Sequence, residues 1–136
     1  MSAQSLELVI APERVAVARL DPGAGPPDWA RGSGFRSLTW TADELSVVCD
    51  QTRVPGGVRA ERGFRRLTVA GPLEFSVVGV LAALTAPLAE VGVSVFTIST
   101  FDTDHLLVRE AALARVREAL EAAGHRVVAQ PGAEQR

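Results

Sequence analysis

Between two apolar runs the chain places Ser99-Thr100-Phe101-Asp102-Thr103-Asp104-His105, the densest group of chemically able side chains in the sequence. It holds two carboxylates, three hydroxyls and an imidazole. A carboxylate in such a set can take an ammonium group in a charge-assisted hydrogen bond. Hydroxyls and turn amides can hold further polar atoms. The pair Asp102 and Asp104 also invites general acid-base chemistry. No second His, Ser or metal-ligand constellation converges on it in the sequence, which weakens that reading. His105 follows Asp104 directly, so on a strand the two face opposite ways. The same Ser, Thr and Asp residues also suit a plain turn in which their side chains bond backbone amides.

Other reactive residues are sparse. Cys49 is the single cysteine, so no intrachain disulfide forms, and its apolar setting Val47-Val48-Cys49 reads as core. Two His and one Cys make a poor zinc set, and no metal or cofactor is expected. All basic side chains are Arg, the formal net charge is -2, and no basic stripe with interleaved aromatics appears. Nucleic acid is therefore not an expected partner. Arg36, Arg65 and Arg66 read as a solvated sheet face. The first residues lack a cationic start, and the apolar runs are too short for a membrane span. A soluble, cytoplasmic protein is expected, and at 136 residues with 47% hydrophobic content it can bury a real core.

The elements around the cluster follow from periodicity. In the second half, Phe64 to Ala70 reads as a strand stopped by Gly71-Pro72. A helix follows from Ser76 or Val77 toward Glu90, with Val77, Val80, Leu81, Leu84 and Leu88 at helical spacing. Pro87 inside it predicts a kink or an early stop. Gly92 fits the left-handed position after a helix. Val93 to Thr100 and Asp104 to Arg109 read as strands linked through 101–104, either as a tight antiparallel hairpin or by way of a neighbouring strand. Ala111 to Ala123 is an amphipathic helix ended by Gly124, and His125 to Ala129 a last strand. The order β-α-β-β-α-β predicts a ferredoxin-like α+β sheet with both helices on one face. Its other face is left for the first half, or a second subunit, to cover.

The first half reads as strands at Leu6–Ile10 and Val15–Leu20, separated by Ala11-Pro12. A turn-rich segment follows, then a single helical turn at Asp28–Ala30 with Asp28 as its cap. Strands are expected at Phe35–Thr41 and Leu45–Cys49, with a turn at Thr41–Glu44. Asp50 to Gly63 is Gly-rich and reads as a linker or long loop. Topology brings the start of the first helix to the same sheet end as the hairpin. There Gly79, which has no side chain, permits close approach of a ligand carboxylate to the amides of Val78 to Val80.

The stretch GVLAALTAPLAEVGVSVFTISTFDTDHLLV, residues 79–108, resembles the ACT domain family. More narrowly it is similar to the CASTOR-like tandem ACT proteins, a group that includes cytosolic arginine sensors. The run Ile98-Ser99-Thr100-Phe101, followed by Asp104-His105 and Leu107-Val108, carries the likeness together with Gly79-Val80, Ala82 and Pro87-Leu88-Ala89. A looser likeness extends to Asp43 through Val48. The resemblance implies two tandem ACT-like units of ferredoxin-like fold: a shortened one at 1–62, a full one at 63–129, and a disordered tail at 130–136. It implies a non-enzymatic regulatory protein that holds an amino acid at an interface between ACT units, a homodimer, and output through an effector protein. The ligand carboxylate would meet the backbone at Val78, Gly79 and Val80. Thr100 and Phe101 would form walls, Asp104 would pair with the amine, and Ser46 and Val47 would reach in from the opposite unit. The arginine sensors carry an acidic residue just before the helix-start glycine. This chain has Ser76-Val77-Val78-Gly79 there, so the ligand expected is an amino acid or similar small molecule, and arginine is not specifically implied. Two other readings stand beside this one: an interaction module using its open sheet face without a ligand, and a small enzyme using Asp102 or Asp104.

Overall fold

A computed structural model describes residues 5–73 and 78–131. Those residues form β1 (Glu7–Leu20), β2 (Ser37–Trp40), β3 (Leu45–Asp50), β4 (Ala60–Val69), α1 (Val80–Glu90), β5 (Phe96–Ser99), β6 (Asp104–Arg109), α2 (Leu113–Ala122) and β7 (Arg126–Ala129). The expected α+β class, with a ferredoxin-like layering of helices on a sheet, is what they build. The chain divides into two compact units, Glu13–Phe64 and Met1–Pro12 with Arg65–Arg136. β1 and β4 each contribute one part to either unit.

In the larger unit the strand order is β7-β1-β4-β6-β5. Residues Glu7–Ile10 of β1 therefore lie between β7 and β4. Local patterning gave no sign of this. The β1–β7 ladder is parallel, Glu7 opposite Arg126 and Ile10 opposite Ala129, while the β1–β3, β2–β3 and β5–β6 ladders are antiparallel. Alternation sends Leu8, Ile10, Leu67, Val69, Leu106, Val108 and Val127 into one core. α1 adds Val80, Leu84 and Leu88, and α2 adds Val116 and Leu120, each set four residues apart on one helical face. Both helices thus cover the same sheet face, as the sequence predicted. Fully burying a leucine such as Leu84 or Leu88 stabilises by about 2 kcal/mol.

Several boundaries differ from the sequence reading. β1 is one strand through Ala11-Pro12, not two. Pro12 falls between the β7 ladder at residues 7–10 and the β3 ladder at 15–20, so its missing N–H costs neither of them a bond. α1 starts at Val80; the expected start at Ser76 or Val77 lies outside the described residues. It also runs through Pro87 to Glu90 without stopping. β5 begins at Phe96, not Val93. A 3₁₀ turn at Glu110–Ala112 precedes α2. Gly92 (φ 75°) and Gly124 (φ 97°) take the left-handed positions expected after the two helices. The tail beyond residue 131 lies outside the described residues.

The smaller unit is built on β1, β3 and β2. Directly opposed pairs Ala16–Cys49, Ala18–Val47 and Leu20–Leu45 share one face, and the first two pairs with Leu45 form its core with Ala30 and Val54. Cys49 is fully buried, as expected. The Thr41–Glu44 turn closes the β2–β3 hairpin. Thr41 Oγ1 accepts from the Asp43 and Glu44 amides at 3.1 and 3.2 Å. Asp28–Ala30 forms a single 3₁₀ turn, but Pro27 occupies the cap position and no side chain caps it. The expected loop 50–63 is shorter, because β4 already begins at Ala60. Gly63 sits within that strand at φ 82°, its N–H donated to Gln51 Oε1 at 2.8 Å, a local bulge that a glycine permits. Arg65, expected in solvent, is buried: it donates to Ala11 O at 2.9 Å and pairs with Glu110 at 3.4 Å.

Candidate functional site

The predicted cluster is a hairpin tip. β5 and β6 pair antiparallel from Phe96–Leu107 to Ser99–Asp104, which leaves residues 100–103 as the turn. The Thr100 amide donates to Thr103 O at 2.8 Å, and the Thr100 hydroxyl donates to the same oxygen at 3.1 Å. Two further bonds fix the tip to its surroundings. Thr103 Oγ1 donates to Val69 O at the end of β4 at 2.7 Å, and the Leu73 amide donates to Asp102 O at 2.7 Å. Several of the polar residues therefore serve the turn, as the alternative reading held. Asp104 does not. Its carboxylate accepts the Ser99 hydroxyl at 2.5 Å, which orients it and leaves its other oxygen for a further donor.

The start of α1 supplies donors. Gly79 precedes the helix at φ 86°, ψ 4°, a left-handed conformation that glycine adopts without strain. The first helical bond runs from the Ala83 amide to Gly79 O at 2.9 Å. The amides of Val80, Leu81 and Ala82 precede it and have no acceptor within the helix. Together with the helix dipole they favour an anionic group.

These two features border one open cleft of about 310 Å³, and Gly79, Val80, Thr100, Phe101 and Asp104 all line it. Leu73, Leu81, Ser99, Asp102 and Thr103 complete the lining. Leu73 and Leu81 were not singled out from sequence. Leu81 was assigned to the core face of the helix, and Leu73 followed a strand stop at Gly71-Pro72. Val78 is 92% exposed and does not line the cleft. Ser46 and Val47 also do not line it. Val47 is fully buried, since alternation on β3 turns it into the smaller unit's core between Leu45 and Cys49. Ser46 pairs across the ladders with Arg19 and Thr39.

His105 faces away from the cleft, as strand alternation predicted. Its Nδ1 lies 2.8 Å from the Thr68 hydroxyl, which also accepts from Arg66 Nη1 at 2.7 Å. Burial holds the His105 pKa below its usual 6.5; the Arg66 charge adds to the effect and the Asp104 charge opposes it. Of the two carboxylates in the cleft, Asp102 is exposed and Asp104 half-buried. No other titratable side chain among the described residues lines the cleft. Among the described residues no group of three or more His, Cys, Asp or Glu could hold a metal ion. Nor is any described helix long and apolar enough to cross a membrane. A groove of about 390 Å³ beside α1 and α2 is walled by Ala86, Ala119, Ala122 and Ala123 with one carboxylate, Glu90, and offers no comparable convergence of donors and acceptors.

The ACT domain family matches residues 59–122, and the N-terminal domain of a second family matches residues 13–57. No curated protein matches significantly. Among solved structures, protein Atu0741 from Agrobacterium tumefaciens is 38% identical, with 94% of this chain and 96% of that one covered and a TM-score of 0.89. Protein VC0802 from Vibrio cholerae is 20% identical over 88% of this chain and 91% of that one, TM-score 0.73. The regulatory subunit of aspartate kinase from Thermus thermophilus is 10% identical over 82% and 93%, TM-score 0.57, a likeness of fold. The chain therefore belongs to the same family as Atu0741, and its residues 59–122 match the ACT domain family.

Proposed function

We propose that this chain is a regulatory, non-enzymatic protein that binds a free amino acid in the cleft between the start of α1 and the β5–β6 turn. One observation carries the reading. The amides at the start of α1, which have no acceptor within the helix, and the Asp104 carboxylate border a single cleft of about 310 Å³. An amino acid presents the complement of both, a carboxylate for the amides and an ammonium for Asp104. The volume lies at the small end of ligand sites, which run from about 300 to 1,000 Å³. ACT membership and the regulatory subunit among its structural neighbours support a role in control rather than catalysis.

The finer points belong to the same proposal. The chain comprises a shortened ACT-like unit within 1–62 and a second at 63–129 that residues 7–10 of β1 complete, and the ligand lies at an interface between ACT units. A homodimer supplies such an interface, and an effector protein in the cytoplasm reads the outcome. Binding changes that outcome only if the ligand's affinity differs between two arrangements of the units.

A thermal-shift screen of the purified chain against the twenty amino acids tests the reading, with Asp104→Ala as control. Linkage predicts about 2.7 kcal/mol of stabilisation at one hundred times the dissociation constant. A shift with one or a few amino acids, absent in Asp104→Ala, is expected. If no amino acid shifts the transition, the ligand-binding reading fails and an interaction module remains.

A further inference from the structure

The cleft's walls differ in chemistry, and the difference bears on the ligand's side chain. This inference rests on the amino-acid reading above. Leu73 from the segment after β4, Leu81 from the first turn of α1 and Phe101 from the hairpin tip each present apolar surface to the cleft. Phe101 is 79% exposed and Leu73 and Leu81 are half-buried, so all three have apolar area left to cover. Among the described residues the charged lining side chains are Asp102 and Asp104, and no basic side chain lines the cleft. We infer that the cleft selects amino acids with apolar side chains and rejects the dicarboxylic ones.

The rejection follows from charge. A side-chain carboxylate would enter a site with two like charges, and the α-carboxylate already occupies the amides that favour an anion. The preference for an apolar over a cationic side chain follows from magnitude. Asp102 is exposed, and an ion pair in water at such a position gains a few-fold in affinity at most. Each methylene buried against the apolar walls gains about fourfold. Leucine has three more carbons than alanine, which is worth about sixtyfold if fully covered and roughly eightfold if half covered.

Calorimetric titration of the full chain with L-leucine, L-phenylalanine, L-alanine, L-lysine and L-glutamate tests this, with Phe101→Ala in parallel. Leucine or phenylalanine is expected to bind about tenfold tighter than alanine, and glutamate not at all. Phe101→Ala should weaken leucine more than alanine and so shrink the leucine-to-alanine ratio several-fold. The variant removes an exposed side chain, so its folding is not at issue. Tightest binding by lysine or glutamate overturns the side-chain inference and leaves the amino-acid reading standing. An unchanged ratio in Phe101→Ala also overturns it. No binding by any amino acid removes both.

Discussion

His125 Nε2 lies 3.2 Å from the carbonyl oxygen of Ala83, the acceptor that Pro87, lacking an N–H, leaves without its helical donor. On its other side, His125 Nδ1 accepts the Leu6 amide at 3.2 Å. An acceptor at Nδ1 places the ring hydrogen on Nε2, where it meets Ala83 O. One buried imidazole thus satisfies the gap in α1 and holds the residue just before β1. This is why α1 passes through Pro87 without stopping.

His125→Leu leaves both backbone groups without a partner inside the fold. At about 1–3 kcal/mol for each unsatisfied group, a loss of roughly 2–6 kcal/mol is expected in urea unfolding. Pro87→Ala returns a helical donor to Ala83 O, so His125→Leu should cost at least about 1 kcal/mol less in that background. A double-mutant cycle measures the coupling. Additive costs would show that the two residues act independently.

Two glycines beside the cleft should fail for different reasons. At Gly79 a Cβ meets open space, but φ is 86°, so Gly79→Ala should cost about 1–2 kcal/mol through backbone strain alone. At Gly71 a Cβ would stand 2.8 Å from the Leu73 amide nitrogen. That amide holds Asp102 O, so Gly71→Ala must shift backbone that anchors the turn. It should weaken amino-acid binding more than its effect on stability implies. Comparing melting temperature with ligand affinity in the two variants separates the cases.

His105 gives stability a pH dependence with a defined sign. Its folded pKa lies below the usual 6.5, chiefly through burial. Above pH 6.5 both states hold the neutral ring and nothing is lost. As pH falls below 6.5 the unfolded chain takes the proton first. Stability then declines until the pH has passed below the folded value, with a slope of at most about 1.4 kcal/mol per pH unit. His105→Gln should flatten that part of the profile relative to the parent, as read from urea midpoints between pH 7.5 and 5.5. An unchanged profile would remove His105 as its source.

Cys49 should be chemically silent in the folded protein. It is fully buried, and burial raises its thiol pKa, an effect that nearby Arg53 opposes and Asp50 reinforces. The thiolate is the reactive form. Labelling by a thiol reagent at neutral pH is expected only after denaturant is added. Rapid labelling of the native chain would contradict the packing of Ala16, Val47 and Cys49.

The parts of the fold that local patterning revealed are those decided by neighbours in sequence. The hairpin tip, the α2 face with Val116 and Leu120, and the glycines after both helices fall in this group. The elements it misjudged are decided by distant partners. Pro12 reads as a strand end until the two separate ladders of β1 are known. Pro87 reads as a helix stop until His125, 38 positions later in the sequence, supplies the donor. In the cleft, Gly79, Val80, Thr100, Phe101 and Asp104 were legible because helix start and hairpin carry their own turn signals. Leu73 was not, since its place depends on the Asp102 carbonyl that holds its amide. Val47 entered the site only through the family resemblance, whereas its apolar setting already read as core, and the structure buries it fully.

The position of residues 7–10 between β7 and β4 has a consequence for how the molecule is made. The ACT unit takes an inner strand from the start of the sequence and its neighbour from residues 126–129. Pairing across such a separation carries a large loop-closure cost before any contact rewards it. During synthesis the first strand emerges early and must wait for the last, exposing Leu8 and Ile10 meanwhile. Folding should therefore be slow for a chain of this size. The family match, residues 59–122, contains neither residues 7–10 nor β7, so a segment of that extent lacks two of the five strands of its sheet and should not fold by itself.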